Sequence, residues 1–296
     1  MQSTHVETDI LVIGGGPAGS TAAALLARRG WRVLLLEKQR HPRFHIGESL
    51  LPMNLPIFER LGVLEQVRAI GVRKPGADFP GADGRINTFR FERALQPRFD
   101  HGFQVRRDQF DQLLLEHARS HGVDAREEVA VEALEWEHGR PCRARARGPG
   151  GELQVSMRYL VDASGRDTFL GQALRLKEKN PRHASAALFS HYRGVLHREG
   201  EDGGNIAVHR FEHGWIWIIP LPEGITSIGV VGAPDFMRQR RGDSEGLLLR
   251  TLLADPLLAP RLQGIERVGP VHVTGNYSYS CRRMAGPGWI LTGDAY

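Results

Sequence analysis

The chain has 296 residues, of which 41% are hydrophobic and 25% are charged, so it can form one sizeable core or two domains. Its amino terminus, MQSTHVETD, lacks the basic start and the apolar run of a secretory signal. No stretch approaches the roughly 18 apolar residues that cross a membrane. We therefore predict a soluble, cytoplasmic protein without a membrane partner. The two cysteines, Cys142 and Cys281, lie far apart in no metal-like spacing, which predicts neither a disulfide nor a metal site.

The net charge of +5 raises the question of a nucleic-acid partner. The most basic run is CRARARG at residues 142–148, in which Arg143, Arg145 and Arg147 alternate with small residues. Alternation places these arginines on one solvated face of a strand. No basic stretch carries interleaved aromatic residues for base stacking, so we expect no nucleic-acid partner. Arginine fills 35 of the 39 basic positions and lysine only 4, so each lysine is unusual in this chain.

The first predicted element is a strand–helix–strand unit with a glycine-rich turn. An apolar run at 10–13 predicts a buried strand, G-x-G-x-x-G follows, a small-residue helix extends to residue 30, and a second buried strand at 33–36 ends at an acid. Such glycines let the backbone approach a pyrophosphate at the helix amino terminus, and an acid about 20 residues later accepts ribose hydroxyls. The unit predicts a dinucleotide site formed by Gly14, Gly16, Pro17, Ala18, Gly19, Glu37 and Lys38.

Two loop segments follow this unit. HPRFHIGESLLPMN (41–54) places Glu48 and Ser49 in a turn before a predicted helix. GVRKPGADF (71–79) places Lys74 in a turn bounded by glycine and proline. From the residues alone, the first segment is a capped loop–helix junction and Lys74 is a solvated loop lysine.

The middle of the chain predicts a helix, a small meander and a strand. QVRRDQFDQLLLEHARSHGV (104–123) carries apolar residues at helical spacing. Residues 129–157 form a β-meander that is broken at HGRP and at GPGG. YLVDASGRDTFLG (159–171) then reads as a strand that ends in a glycine-containing turn.

A hairpin is predicted from WIWIIP at residues 215–220, followed by LPEG and the alternating ITSIGVVG. Side chains alternate along a strand, so Trp215 and Trp217 share one face while Ile216 and Ile218 share the other. Two large aromatic residues on one face of a sheet are typical of a hydrophobic core. The residues alone leave open whether these tryptophans belong to a core or to a site.

Together these elements predict an α/β fold with a Rossmann-like dinucleotide-binding domain and an inserted antiparallel β-sheet substrate domain. The first domain spans residues 1–175 and includes the meander at 129–157. The substrate-facing sheet spans 176–270, and residues 271–296 return to the first domain with GWILTGDAY.

The order of four motifs resembles the FAD-dependent oxidoreductases of the aromatic-hydroxylase type. These motifs are G-x-G-x-x-G, an arginine before a helix, a D-A-S-G turn and a late Gly-Asp. The resemblance covers nearly the whole chain and implies that the cofactor is FAD rather than NAD. It further implies that Arg107 approaches the flavin phosphates, that Asp162 belongs to the turn after a strand, and that Gly293 and Asp294 hold the ribityl chain.

Three segments also resemble the flavin-dependent halogenases. W-x-W-x-I-P matches the halogenase signature at every fixed position, which implies that Trp215 and Trp217 keep an organic substrate away from the flavin. The segment with Glu48 and Ser49 is similar to the one that covers the flavin ring, in halogenases and in the geranylgeranyl-reductase-like branch alike. GVRKPG resembles the family's lysine segment, which implies that Lys74 receives halogen from hypohalous acid as a haloamine or by hydrogen bonding. A desolvated amine can lose its proton for this chemistry, whereas a guanidinium cannot.

The resemblance predicts an FAD-dependent halogenase that uses reduced flavin, oxygen and halide on an electron-rich aromatic substrate, either free or carrier-bound. No second G-x-G-x-x-G unit occurs, so we expect a separate flavin reductase as a partner. The alternatives are an FAD-dependent monooxygenase, a geranylgeranyl-reductase-like oxidoreductase, or an inactive flavin-binding fragment. The last is considered because the chain ends at Tyr296, whereas the resembled family continues beyond its Gly-Asp motif.

Overall fold

A computed structural model describes residues 4–81, 83–94, 98–180, 183–275 and 278–296. The strands are, in chain order, β1 (Thr4–Glu7), β2 (Ile10–Ile13), β3 (Val33–Leu36), β4 (Gly71–Lys74), β5 (Gly76–Pro80), β6 (Ile86–Arg90), β7 (Gly102–Val105), β8 (Asp124–Arg126), β9 (Ala130–Glu137), β10 (Arg140–Gly148), β11 (Gly151–Ser156), β12 (Tyr159–Asp162), β13 (Lys177–Lys179), β14 (Ala186–Arg193), β15 (Ile206–Phe211), β16 (Gly214–Pro220), β17 (Ile225–Gly232), β18 (Glu266–Arg267), β19 (His272–Thr274), β20 (Tyr279–Cys281), β21 (Ala285–Gly286) and β22 (Trp289–Leu291). The helices are α1 (Pro17–Ala27), α2 (Leu55–Leu61), α3 (Leu64–Ala69), α4 (Arg107–Ser120), α5 (Phe169–Ala173), α6 (Pro234–Arg238) and α7 (Ser244–Leu253).

The chain divides into two compact units. The first unit contains residues 4–45, 107–179 and 279–296, and the second contains the described residues of 46–106 and 180–278. These bounds differ from the predicted domains, which placed residues 46–106 with the dinucleotide-binding domain. The physical reason is long-range pairing, because β5 is hydrogen-bonded to β15 within one sheet of the second unit.

The first unit is built on a six-stranded sheet in the order β21-β22-β12-β2-β3-β8. Every neighbouring pair is parallel except β21 with β22. The side chains of β2 (ILVI) and β3 (VLLL) are buried throughout, as expected for parallel strands covered on both faces. Helix α1 connects β2 to β3 and packs against β3 and α4. The predicted strand–helix–strand unit is therefore present.

A second sheet of the first unit contains the predicted meander, in the order β1-β11-β10-β9. Along β10, Ala144 and Ala146 are buried in the core that also contains residues of β2 and β3, while Arg143, Arg145 and Arg147 are exposed. The alternation predicted for CRARARG is thus confirmed, and these arginines form ion pairs with the glutamates of β9.

The second unit is built on an eight-stranded sheet in the order β18-β14-β17-β16-β15-β5-β6, with β19 also paired to β14. One face carries Ile216, Ile218 and Val230 and is covered by side chains of α6 and α7. The other face carries Trp217 and Ile219. All pairs are antiparallel except β5 with β15. The predicted fold class is confirmed, with this single parallel pair as a departure. Among the described residues, no helix is both long and apolar enough to span a membrane.

Candidate functional site

A cavity of about 420 Å³ in the first unit collects most of the residues predicted to bind a dinucleotide. It lies at the carboxyl ends of β2, β3 and β12, where ligands bind to open α/β sheets. Its lining includes Gly14, Gly16, Pro17, Ala18, Glu37, Lys38, Arg43, Arg107, Ala163, Ser164, Gly165, Arg166, Asp167, Gly293 and Asp294.

The three predicted glycines serve different purposes in the turn between β2 and α1. Gly14 has a φ of +100°, and a Cβ there would lie 2.4 Å from the carbonyl oxygen of Ala163. A Cβ on Gly19 would lie 1.9 Å from the carbonyl oxygen of Gly14, so this glycine permits close backbone packing and does not line the cavity. In the part of the chain that the structure describes, and apart from its sequence neighbours, the nearest atom to a Cβ on Gly16 would belong to Arg43, at 3.6 Å. Gly16 therefore leaves open space at the amino terminus of α1, where an anion is favoured.

Glu37 lies at the end of β3 with its carboxylate fixed by two backbone amides. Its Oε2 accepts a hydrogen bond from Gly15 N at 2.6 Å, and its Oε1 accepts one from Gln39 N at 2.8 Å. Each carboxylate oxygen retains a lone pair. The fixed acid can therefore accept the hydroxyls of a ribose in the cavity, and its role as a ribose acceptor stays a prediction.

Two arginines at the cavity are held by Asp111, a fully buried residue of α4. Asp111 Oδ1 accepts from Arg107 Nε at 2.7 Å, and Oδ2 accepts from Arg107 Nη2 at 3.0 Å and from Arg43 Nη1 at 3.1 Å. Arg43 Nη2 also lies 3.9 Å from Glu37 Oε2. The two guanidinium groups offer planar sets of N–H donors, which suit a pyrophosphate. Arg107 was predicted at this place, while Arg43 and Asp111 were missed. The spacing of Arg107 and Asp111, one helical turn apart in RDQFD, is a signal that could have revealed the pair.

Asp162 organises the predicted D-A-S-G turn and does not itself line the cavity. It is fully buried at the end of β12, where Oδ1 accepts from Ser164 N at 2.9 Å and Oδ2 accepts from Leu170 N at 2.7 Å. Burial raises the pKa of this carboxyl above its ordinary value. Asp162 thus lies at the turn after the strand, as the resemblance implied, and its oxygens shape the residues at 163–167 that line the cavity. A role for Asp162 itself in cofactor binding stays a prediction.

The late Gly-Asp motif also reaches the cavity. Gly293 has a φ of +62°, and a Cβ there would lie 2.7 Å from the Cβ of Ala18 on α1, so the motif packs closely against the glycine turn. Asp294 lines the cavity beside it. Lys38 forms an exposed ion pair with Asp167, another lining residue.

The residues of this cavity fit FAD. The open space at Gly16 and the helix terminus accept a pyrophosphate, the two arginines supply positive charge, and Glu37 supplies a ribose acceptor. Gly293 and Asp294 lie where the chain returns to the same cavity.

In the second unit, Lys74 is the last residue of β4, and its side chain is buried. Only 2% of its surface is exposed. Its Nζ donates hydrogen bonds to Ser49 Oγ and to the carbonyl oxygen of Leu50, both at 2.8 Å, and lies 5.3 Å from the centroid of the Phe91 ring. Burial lowers its pKa to about 8. The prediction of a turn and the alternative of a solvated lysine are both wrong, because strand pairing to β7 draws the residue inward.

The two predicted tryptophans belong to a row of rings on one face of the large sheet. Trp217 is 6% exposed and Trp215 is 36% exposed, with ring centroids 5.9 Å apart. Phe189 lies 5.6 Å from Trp217, and His272 stacks on Phe189 at 5.3 Å. Gly229, paired with Trp217 across β16 and β17, makes room for the indole, since a Cβ there would lie 2.3 Å from it. The predicted alternation of WIWIIP is confirmed.

Glu48 and Ser49 do not line the cavity of the first unit and belong to the second unit. Glu48 is 1% exposed, and its Oε1 lies 2.7 Å from His191 Nε2. Ser49 accepts a hydrogen bond from Lys74. The described contacts thus connect Ser49 to the predicted lysine, while a role for either residue in cofactor binding stays a prediction.

The family model described as FAD binding domain matches residues 7–240. The chain is 36% identical to the tryptophan 2-halogenase of Chondromyces crocatus over 97% of this chain and 56% of that protein. It is 31% identical to the 1H-pyrrole-2-carbonyl-(peptidyl-carrier protein) chlorinase of Pseudomonas fluorescens over 97% of this chain and 69% of that protein. Among solved structures, the myxobacterial chondrochloren halogenase CndH matches with a TM-score of 0.92 at 35% identity, covering 98% of this chain and 68% of that chain.

The chain therefore spans little more than half of the tryptophan 2-halogenase and about two thirds of the other two relatives. The matched family model includes the glycine turn, Glu37, both arginines and the D-A-S-G turn within residues 7–240. Together with the halogenase relatives, this match shows that the chain belongs to the flavin-dependent halogenases, a family of FAD-dependent oxidoreductases.

Proposed function

We propose that this chain carries the FAD site and the halogen-transferring lysine of an enzyme that halogenates an electron-rich aromatic substrate. The substrate is phenol-like or pyrrole-like and is either free or carrier-bound. The names of the tryptophan and pyrrole-carbonyl relatives support an aromatic substrate. FAD, when bound and reduced, would supply two electrons to oxygen; oxygen at the peroxide level then oxidises halide to hypohalous acid, and the second oxygen atom leaves as water.

The observation that carries this proposal is the buried amine of Lys74. Desolvation favours the neutral amine, and the pKa of about 8 makes roughly a tenth of it neutral at pH 7. The neutral nitrogen attacks the halogen of hypohalous acid: an N–X bond forms, the O–X bond breaks, and the departing hydroxide leaves as water with a proton from nitrogen. An aromatic carbon then takes the halogen as the N–X bond breaks, and the ring proton returns to nitrogen. A protonated Lys74 that only donates a hydrogen bond to hypohalous acid is the second version of this step.

Trp215 and Trp217 are proposed to exclude the organic substrate from the flavin. Their support is the row of aromatic rings that they form with Phe189 and His272, which the paired strands of the sheet hold in place. The indole Nε1 of Trp217 donates to Ser227 Oγ at 3.1 Å, which fixes its orientation. A rigid wall of this kind blocks an aromatic substrate and leaves small molecules to pass.

The cavity of the first unit is proposed to bind FAD through four groups of atoms. Arg43 and Arg107, oriented by Asp111, hold the pyrophosphate against the amino terminus of α1. Glu37 accepts the ribose hydroxyls, and Asp294 holds the ribityl chain. The residues thereby orient the cofactor without taking part in the halogen transfer.

Product mass tests the proposed function. Two proteins are assayed: the chain itself and a version extended to the length of its relatives. Each is supplied with reduced FAD, oxygen, a phenol or a pyrrole, and either chloride or bromide. We expect the product mass to follow the halide, with the isotope pattern of one halogen in place of one hydrogen. A halide-independent gain of one oxygen would support the monooxygenase alternative instead. Product from the extended version alone would support the inactive-fragment alternative for this chain.

A cytoplasmic location is part of the proposal, and so is a separate flavin reductase. The reductase is supported by the sequence, in which only one G-x-G-x-x-G unit occurs. Bound FAD should be reduced slowly by NADH or NADPH alone in a stopped-flow experiment and quickly after a flavin reductase is added. Fast reduction by the nicotinamide alone would remove the reductase from the proposal.

A further inference from the structure

Residues 48–50, here called the 48–50 segment, run along one edge of β7 in the second unit. Val105 N donates to the carbonyl oxygen of Glu48 at 2.8 Å, and Leu50 N donates to that of Phe103 at 2.9 Å. Strand β4, which ends at Lys74, is paired to the opposite edge of β7. The lysine therefore lies across β7 from the segment that holds its amine.

A glycine makes this contact possible. Lys74 is paired with Gly102 of β7, and a Cβ on Gly102 would lie 2.6 Å from the carbonyl oxygen of Leu50. The carbonyl oxygen of Leu50 thus occupies the space that a side chain at position 102 would fill. Because Lys74 Nζ donates to this carbonyl and to Ser49 Oγ, the burial of the amine depends on where the 48–50 segment lies.

The side chain of Glu48 connects the 48–50 segment to the large sheet. Its Oε1 lies 2.7 Å from Nε2 of His191, which is on β14 opposite Ser227 of β17. Its Oε2 is buried and has no hydrogen-bond partner among the described residues. A buried carboxylate is tolerated when it is paired and is strongly unfavourable when its partner is removed. Glu48 is thus held to β7 by its backbone and to the large sheet by its side chain, and His191 supplies the second attachment.

We propose that His191 is a positioning residue for Lys74: it fixes the 48–50 segment to the sheet through Glu48 and thereby keeps the lysine amine between Ser49 and Leu50. The two ends of this connection are 117 positions apart in sequence, since they are residues 74 and 191. The consequence for halogen transfer rests on the proposed function, whereas the placement of the amine rests only on the contacts of the second unit.

The experiment measures the pH dependence of Lys74 acetylation by acetic anhydride, read peptide by peptide by mass spectrometry. The chain has four lysines, and exposed Lys179 serves as the internal reference. In the parent we expect a midpoint at about pH 8 for Lys74. In His191→Leu the segment keeps its backbone bonds to β7 but loses its side-chain attachment to the large sheet. Water then reaches the amine more easily, and the midpoint moves up by about one to two pH units. His191→Gln keeps an N–H donor for Glu48, so its midpoint stays with the parent, as does Lys179 in every variant.

An unchanged midpoint in a folded His191→Leu protein overturns the proposal. The double variant Glu48→Gln/His191→Leu decides the matter if the single variant does not fold, because it buries no unpaired charge. A raised midpoint in the double variant supports the proposal, and a midpoint at about 8 overturns it. Because acetylation needs neither flavin nor halide, its outcome is separate from that of the halogenation assay. A failure of the proposed function therefore leaves this test intact.

Discussion

Substitution of Gly16 by valine separates cofactor binding from folding in the first unit. Gly16 precedes α1 with φ −74° and ψ −176°, an extended conformation that valine adopts readily. Among the described residues other than its chain neighbours, a Cβ at this position has only Arg43 within 4 Å, at 3.6 Å. The side chain would therefore extend into the open space that the pyrophosphate is expected to fill, with little effect on the protein without its cofactor.

The size of the effect follows from the contacts that are lost. Hydrogen bonds to a charged group contribute about 1.5–3 kcal/mol each. Loss of one of them at the helix terminus costs about 1.5–3 kcal/mol, which raises the Kd for FAD about 10- to 150-fold, and loss of two raises it further. The free energy of unfolding of the FAD-free protein should change by less than about 0.5 kcal/mol.

The assay is a titration of FAD followed by quenching of flavin fluorescence, together with urea unfolding of the FAD-free protein. Gly19→Ala is the matched control, because its Cβ would lie 1.9 Å from the carbonyl oxygen of Gly14. This overpacking should lower the free energy of unfolding by about 1–3 kcal/mol. If Gly16→Val binds FAD as tightly as the parent, the placement of the pyrophosphate is refuted.

Three further changes have defined outcomes. Asp111→Ala removes the buried carboxylate that accepts from Arg107 and Arg43, while Arg43 keeps Glu37 at 3.9 Å. Urea unfolding should therefore show a loss of about 1–3 kcal/mol, and an unchanged free energy of unfolding would contradict the buried pairing. Gly102→Ala pushes away the carbonyl of Leu50, so the pH midpoint for acetylation of Lys74 should rise above about 8. An unchanged midpoint would mean that the hydrogen bond from Lys74 to Leu50 is dispensable. For Lys74→Met the stability difference should depend on pH. The pKa of Lys74 is lowered by folding from 10.5 to about 8, so the unfolded chain binds more protons between these values. The parent should therefore gain free energy of unfolding relative to Lys74→Met as pH rises from 8 to 10.5, and a flat difference from pH 7 to 11 would contradict the buried amine.

The elements set by local pattern were predictable from the sequence. The glycine turn, the acid at Glu37 and the alternation of WIWIIP follow from spacings of a few residues, and each is present in the structure. The family resemblance also indicated Arg107 and the Gly-Asp motif as cavity residues.

The contacts that depend on distant strand pairing were not predictable. Lys74 looked like a turn residue because glycine and proline flank it, and only the pairing of β4 with β7 makes it a buried strand residue. Arg43 reaches Asp111 across 68 positions, and Glu48 reaches His191 across 143. No local spacing signals such pairs. The grouping of residues 46–106 with the large sheet was missed for the same reason.

The transfer of halogen through the neutral amine of Lys74 is tested most directly by the yield of halogenated product in two variants, Lys74→Ala and Lys74→Arg, with Lys179→Ala as the control. All four proteins are supplied with the same amounts of reduced FAD, oxygen, bromide and aromatic substrate, and reduced flavin consumed is measured beside product formed. We expect Lys179→Ala to match the parent, and both Lys74 variants to consume reduced flavin while forming almost no brominated product, because a guanidinium keeps its charge without offering a neutral nitrogen. Parent-like yield in Lys74→Arg would show that charge or hydrogen bonding suffices, and parent-like yield in Lys74→Ala would contradict any role for this lysine in halogen transfer.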